Sequence, residues 1–214
     1  MTELTLVIGN KNHSSWSLRP WLALKAAGLP FHEVLVGLRR PETKTEILRH
    51  SPSGKLPLLI DGTLRIWDSL AICEYIAERQ PAAGLWPDAA DARATARAVS
   101  AEMHAGFMAM RRDYAMDISR RFPDQGSAEA RADAARVQEV WRDCRQRFGA
   151  GGDFLFGRFG IADCMFAPVV TRFRTYGLAL DAISQAYSDA VLAHPAMREW
   201  CQAAEAETPL ENTN

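Results

Sequence analysis

The segment NKNHSSWS, residues 10–17, gathers three hydroxyls, Ser14, Ser15 and Ser17, where an apolar run gives way to a helical stretch. A helix N-terminus presents N–H groups with no intrahelical partner and a partial positive charge, so it favours anions. A hydroxyl there either joins in holding the anion or simply caps the helix. A redox protein of this layout would carry Cys-x-x-Cys at this place. With serines there the chain has no thiol for disulfide exchange. Asp68-Ser69 opens a second helical stretch. The hydroxyl at that N-terminus can hold a carboxylate and the neighbouring Asp an ammonium, which together suit an α-amino acid head group. Taken alone, a plain cap is the simpler reading.

A third piece lies in SGKLPLLIDGTLRIWDS, residues 53–69. Pro57 heads the apolar run Leu58-Leu59-Ile60, although proline cannot donate to a sheet ladder and is confined to strand starts, edges and bulges. A cis bond between Leu56 and Pro57 would turn the chain sharply and leave the Leu56 N–H and C=O facing outward. They could then pair in β fashion with a peptide-like ligand. Lys55 beside them could meet a terminal carboxylate.

The elements that must position these groups follow from periodicity. Over residues 1–80 the pattern predicts a strand at 4–9, a helix at 18–27 ended by Gly28, a strand at 31–36, a helix at 42–50, a hairpin at 57–67 turning at Asp61-Gly62, and a helix carrying Leu70, Cys73, Ile76 and Ala77 on one face. The order β-α-β-α-β-β-α implies a small mixed four-stranded sheet with helices on it, close to a thioredoxin-like layout. Residues 81–88, PAAGLWPD, read as a linker. Beyond it strand signals vanish, and residues 89–207 read as an all-helical domain. A long helix is expected from Ala89 to about Arg121, with others at 127–148, 161–175, 181–193 and 196–206. Residues 208–214 read as a polar tail. Asp163 falls at the third position of the 161–175 helix if Gly160 is its N-cap, the place from which a carboxylate reaches back to the cap N–H; it reads as a folding device.

With 214 residues the chain can bury one large core or two small ones. Net charge is −1, and neither the first 80 residues nor the remainder is basic enough to suggest nucleic acid. No apolar stretch approaches the roughly 20 residues that cross a bilayer, and the N-terminus lacks the basic start and cleavage site of a signal peptide. Cys73, Cys144, Cys164 and Cys201 are widely spaced without CxxC, which predicts free thiols in the cytoplasm, no disulfide and no metal site.

HSSWSLRPWLAL, SPSGKLPLL, WDSLAICEYIAE and GIADCMFAP, in this order and spacing, resemble the cytosolic glutathione transferase superfamily over nearly the whole chain. The first is similar to the zeta class, whose motif reads Ser-Ser-Cys; Trp16 stands at the cysteine. The resemblance implies a thioredoxin-like domain, a helical domain, a homodimer and glutathione as cosubstrate. It implies that Asp68 and Ser69 take the γ-glutamyl head, the Leu56 backbone before Pro57 the cysteinyl unit, and Lys55 the glycyl carboxylate. Ser14 would donate to the sulfur, with Ser15 as its rival. The electrophile would sit between the domains. Met103, Phe107, Met110 and Tyr114 recur at helical spacing and either line that pocket beside Trp16 or are ordinary core. The leading activity is conjugation of glutathione to small electrophiles. A glutathione-dependent isomerase acting on a substrate such as maleylacetoacetate and a non-catalytic binding protein are the alternatives.

Overall fold

The computed structural model describes residues 3–207; the tail expected at 208–214 lies outside the described residues. The chain opens with β1 (Leu4–Gly9), α1 (Ser15–Ala26), β2 (Phe31–Val36) and α2 (Thr43–His50). It continues with β3 (Leu58–Asp61), β4 (Leu64–Ile66) and α3 (Ser69–Arg79). The sheet order is β2-β1-β3-β4, with β1 parallel to β2 and antiparallel to β3. This is the expected mixed sheet. The near-continuous apolar run of β1 suits a central strand covered on both faces. Leu6 and Ile8 enter the main core, while Val7 points to the other face, where it meets Val36, Ile47 and Leu58.

A single 3₁₀ turn at Pro81–Ala83 leads to the helices α4 (Ala90–Ala105), α5 (Met108–Asp113), α6 (Ala128–Phe148), α7 (Ile161–Tyr176), α8 (Ala182–Ala193) and α9 (Pro195–Glu205). The α7 helix is buried along almost its whole length and packs on α1 and α4, joining the two halves of the chain. Its start is as the sequence predicts. Gly160 is the N-cap, and Asp163 accepts from Gly160 N–H at 2.9 Å and from Leu155 N–H at 3.1 Å.

Two expectations are corrected. The hairpin pairs Asp61 with Leu64, so its two turn residues are Gly62 and Thr63, one position later than expected; Gly62 supplies the positive φ of +58°. The long helix from Ala89 to Arg121 is broken. It stops at Gly106, where a Cβ would lie 2.8 Å from the Glu102 carbonyl oxygen, and Phe107 takes φ +60°. Arg111 then folds back, its guanidinium donating to the carbonyls of Met103 and Gly106 and satisfying the end of α4. After α5 the chain runs without regular structure until Ser127 caps α6.

Candidate active site at the domain junction

The N-terminus of α1 forms the floor of a cleft of about 850 Å³ between the two halves. Ser14 is the N-cap by position, yet its side chain makes no capping bond. Its hydroxyl instead donates to Ser17 Oγ at 2.7 Å, and Ser17 Oγ also accepts from Gly9 N–H at 3.2 Å. Ser15 N–H is held by the His13 carbonyl at 3.1 Å, and Leu18 N–H by that of Ser14 at 3.2 Å. The N–H groups of Trp16 and Ser17 thus have no protein acceptor among the described residues. The Ser14 hydroxyl does not cap the helix, and the N–H groups at this positive helix end are left without protein acceptors. Ser14 and Ser15 both line the cleft, at 9% and 6% exposure.

The loop that presents them is tied down from the helical half. Asn12 Oδ1 accepts from Ile118 N–H at 2.6 Å and Ser119 N–H at 2.9 Å, and His13 Nδ1 lies 3.2 Å from the Met116 carbonyl. Glu207 receives the N–H groups of Lys11 at 2.6 Å and Asn12 at 3.1 Å, and Trp200 Nε1 donates to the Lys11 carbonyl at 3.0 Å. None of these contacts is local in sequence, and none was readable from it.

Across the cleft stand Lys55, Leu56, Pro57, Asp68 and Ser69. The Leu56–Pro57 bond is cis, and β3 begins only at Leu58, so Leu56 lies before the ladder. Lys55 is exposed. Asp68 is the N-cap of α3 and accepts from Leu70 N–H at 3.3 Å; its other oxygen lies 3.1 Å from His104 Nε2 of α4. The peptide bond between Trp67 and Asp68 is also cis. Ser69, the first residue of α3, is fully buried, and its hydroxyl has no hydrogen-bond partner. The plain-cap reading therefore holds for Asp68 and fails for Ser69.

Trp16 lines the cleft with its ring edge-on to His104 at 5.2 Å. Two guanidinium groups approach the same indole, Arg19 at 4.3 Å and Arg111 at 4.7 Å from the ring centre. Arg19 is fully buried and none of its three nitrogens has a hydrogen-bond partner. Burial, with Arg111 and Arg172 close by, pulls it down to about 9, which leaves it protonated at neutral pH. Arg172 is buried too and donates to the Tyr114 carbonyl at 2.6 Å.

The four residues expected to line an electrophile pocket lie elsewhere. Met103, Phe107, Met110 and Tyr114 are at most 7% exposed and belong to the main core, and none of them borders this cleft. The break at Gly106 takes them off a single helical stripe. Their core packing was the other reading that the sequence allowed. The helical half contributes His104 to the cleft instead.

The family described as "Glutathione S-transferase, N-terminal domain" matches residues 13–79, and "Glutathione S-transferase, C-terminal domain" matches residues 127–203. Maleylacetoacetate isomerase of Pseudomonas aeruginosa is 27% identical over 205 residues, covering 93% of this chain and 96% of that protein. Dichloromethane dehalogenase of Methylorubrum extorquens is 35% identical over 60 residues, 27% of this chain but only 21% of that protein's length. Among solved structures, a glutathione transferase homologue from Burkholderia gl BGR1 with bound glutathione superposes with a TM-score of 0.72 at 22% identity, over 96% of this chain and 100% of that one. With one family domain over the sheet half, its companion over the helical half, and the same overall fold, the chain belongs to the glutathione S-transferase family.

Proposed function

We propose that this chain is a glutathione transferase that holds glutathione as its thiolate and adds it to small electrophiles. The observation that carries the reading is the uncapped N-terminus of α1, with free N–H groups, and Ser14 and Ser15 lining one cleft. A free thiol titrates near 8.5, and each unit of depression corresponds to about 1.4 kcal/mol. A hydrogen bond to a charged acceptor contributes roughly 1.5–3 kcal/mol and a helix N-terminus about 1 kcal/mol more. A depression of one to two units is within reach, which makes the thiolate a major species at neutral pH.

The remaining roles follow the groups across the cleft. The unpartnered hydroxyl of Ser69 and the N-terminus of α3 suit the γ-glutamyl carboxylate. Asp68 suits its ammonium, the Leu56 backbone ahead of cis-Pro57 the cysteinyl unit, and exposed Lys55 the glycyl carboxylate. Trp16 and His104, which border the cleft next to the two serines, are assigned to the electrophile. In the reaction the sulfur forms a bond to an electrophilic carbon, and a leaving group departs with its bonding pair. We further propose a homodimer in the cytoplasm. Leu64, Trp67 and Met108, exposed by 48%, 47% and 69%, and four unpaired cysteines support these two assignments.

Isomerisation is the second reading, favoured by the likeness to maleylacetoacetate isomerase along nearly the whole chain. Trp16 at the place of that motif's cysteine weighs against it. A panel of small electrophiles, with glutathione consumption as readout, tests the two. Stoichiometric consumption with conjugate formation supports the transferase. Turnover of a cis-enoic substrate such as maleylacetoacetate with glutathione returned unchanged replaces it with the isomerase, and binding without turnover refutes both.

A further inference from the structure

Ser14 has one proton, and the structure shows where it is directed: to Ser17 Oγ at 2.7 Å. A hydroxyl offers one donor and two acceptor sites. Ser17 is fully buried, and both its lone pairs are engaged, one by Ser14 and the other by Gly9 N–H at 3.2 Å. Gly9 closes β1 and is held in the sheet opposite Val36, so that donor is fixed. Ser14 therefore cannot donate to a sulfur in the cleft while this arrangement persists.

From this we propose that Ser17 is the positioning residue of the site and reverses its bond to Ser14 when a thiolate is present. Ser14 turns its proton to the sulfur. Ser17 then turns its own O–H to Ser14 Oγ and keeps the Gly9 N–H on a remaining lone pair. The Ser14–Ser17 hydrogen bond survives with its direction inverted, so no buried group loses a partner. A hydroxyl that accepts one hydrogen bond donates a stronger one, so the reversed pair holds the negative sulfur better than Ser14 alone. Ser17 touches no substrate and acts only through Ser14. The inference rests on the thiolate-binding role proposed above for Ser14.

The test is a double-mutant cycle on the thiol's titration in the glutathione complex, followed by thiolate absorbance, for wild type, Ser14→Ala, Ser17→Ala and the double variant. Ser17→Ala raises the bound thiol's pKa by about 0.5–1 unit, the equivalent of one neutral hydrogen bond. In the Ser14→Ala background the same change has no further effect, because its only route to the sulfur is gone. Ser17→Thr, which retains the hydroxyl, restores the wild-type titration. Ser17→Ala leaves the Gly9 N–H without its partner; should it fail to fold, Ser17→Cys substitutes a weak donor of similar size and gives a smaller shift with the same dependence on Ser14. If Ser14→Ala leaves the titration unchanged, the role of Ser14 falls and this inference with it. If Ser14→Ala shifts the pKa and Ser17→Ala adds its full shift on top, Ser17 acts independently and only the inference is overturned.

Discussion

Replacing Ser69 with alanine should strengthen the fold and weaken the ligand. Ser69 Oγ is completely buried at the start of α3 and has no hydrogen-bond partner. An unsatisfied buried hydroxyl costs about 1–3 kcal/mol, and alanine is also the better helix former. Ser69→Ala should therefore stabilise the ligand-free protein by about 1 kcal/mol, which for a chain of this size raises Tm by roughly 2–4 °C. The same hydroxyl is the one assigned to the γ-glutamyl carboxylate. A hydrogen bond to a charged acceptor contributes roughly 1.5–3 kcal/mol, so the Kd for glutathione should rise roughly 10- to 150-fold. Calorimetric melting of the free protein and titration with glutathione read the two effects on one preparation. The opposite signs make the test severe. A lower Tm with unchanged affinity would mean that Ser69 has a structural partner and no part in binding, and the reasoning from its orphaned hydroxyl would fail.

Trp16→Ala should lower kcat/KM toward aryl electrophiles roughly 5- to 150-fold, since a stacked aromatic contact and its desolvation contribute on the order of 1–3 kcal/mol. Glutathione affinity should change less than threefold, and a purely structural Trp16 would lower both together. Asn12→Ala removes the acceptor of two backbone N–H groups, at Ile118 and Ser119. It should destabilise by about 2–4 kcal/mol in denaturant unfolding, and a loss under 0.5 kcal/mol would show that the clamp on the N-terminal loop is not structural. Cys73 and Cys164 are fully buried; burial pushes the Cys73 thiol up to about 12 and Cys164 well above its ordinary value. Burial also pushes the Cys144 thiol up to about 12 and that of half-buried Cys201 up to about 11. An aromatic disulfide reagent at pH 8 should therefore titrate at most Cys201 in the native protein and all four thiols after denaturation. Rapid labelling of two or more native thiols would contradict this burial.

What the sequence disclosed was the part encoded locally. The apolar run of β1, the proline at the head of β3, and the Gly160–Asp163 start of α7 each depend on neighbours within a few residues, and each is found where expected. The mixed sheet followed from the order of those elements. The break at Gly106 escaped because an isolated glycine in a helical pattern is tolerated; here Arg111 fixes the end of α4 from five residues on. The one-residue displacement of the hairpin turn has a similar origin. Both Asp61-Gly62 and Gly62-Thr63 place glycine in the turn, and only the pairing of β3 with β4 selects between them. At the site, Ser14, Ser15, Lys55, Leu56, Asp68 and Ser69 were legible as groups at helix ends and strand heads. Their common cleft, the Asp68–His104 contact and the approach of Arg111 to Trp16 depend on residues far apart in the chain, and no spacing rule reaches them.

A thiolate held at the α1 N-terminus means that glutathione releases a proton as it binds, and that proton can be counted. Calorimetric titration with glutathione at pH 7.5, repeated in two buffers of different ionisation enthalpy, yields the stoichiometry and the protons exchanged in one experiment. Free glutathione is about one-tenth thiolate at that pH, and a depression of about 1.5 units makes the bound form about three-quarters thiolate. One glutathione should bind per subunit with release of roughly 0.7 proton, and the release should vanish when S-methylglutathione replaces glutathione. Binding with no proton release, or the same release from the S-methyl compound, would contradict a thiolate at this site.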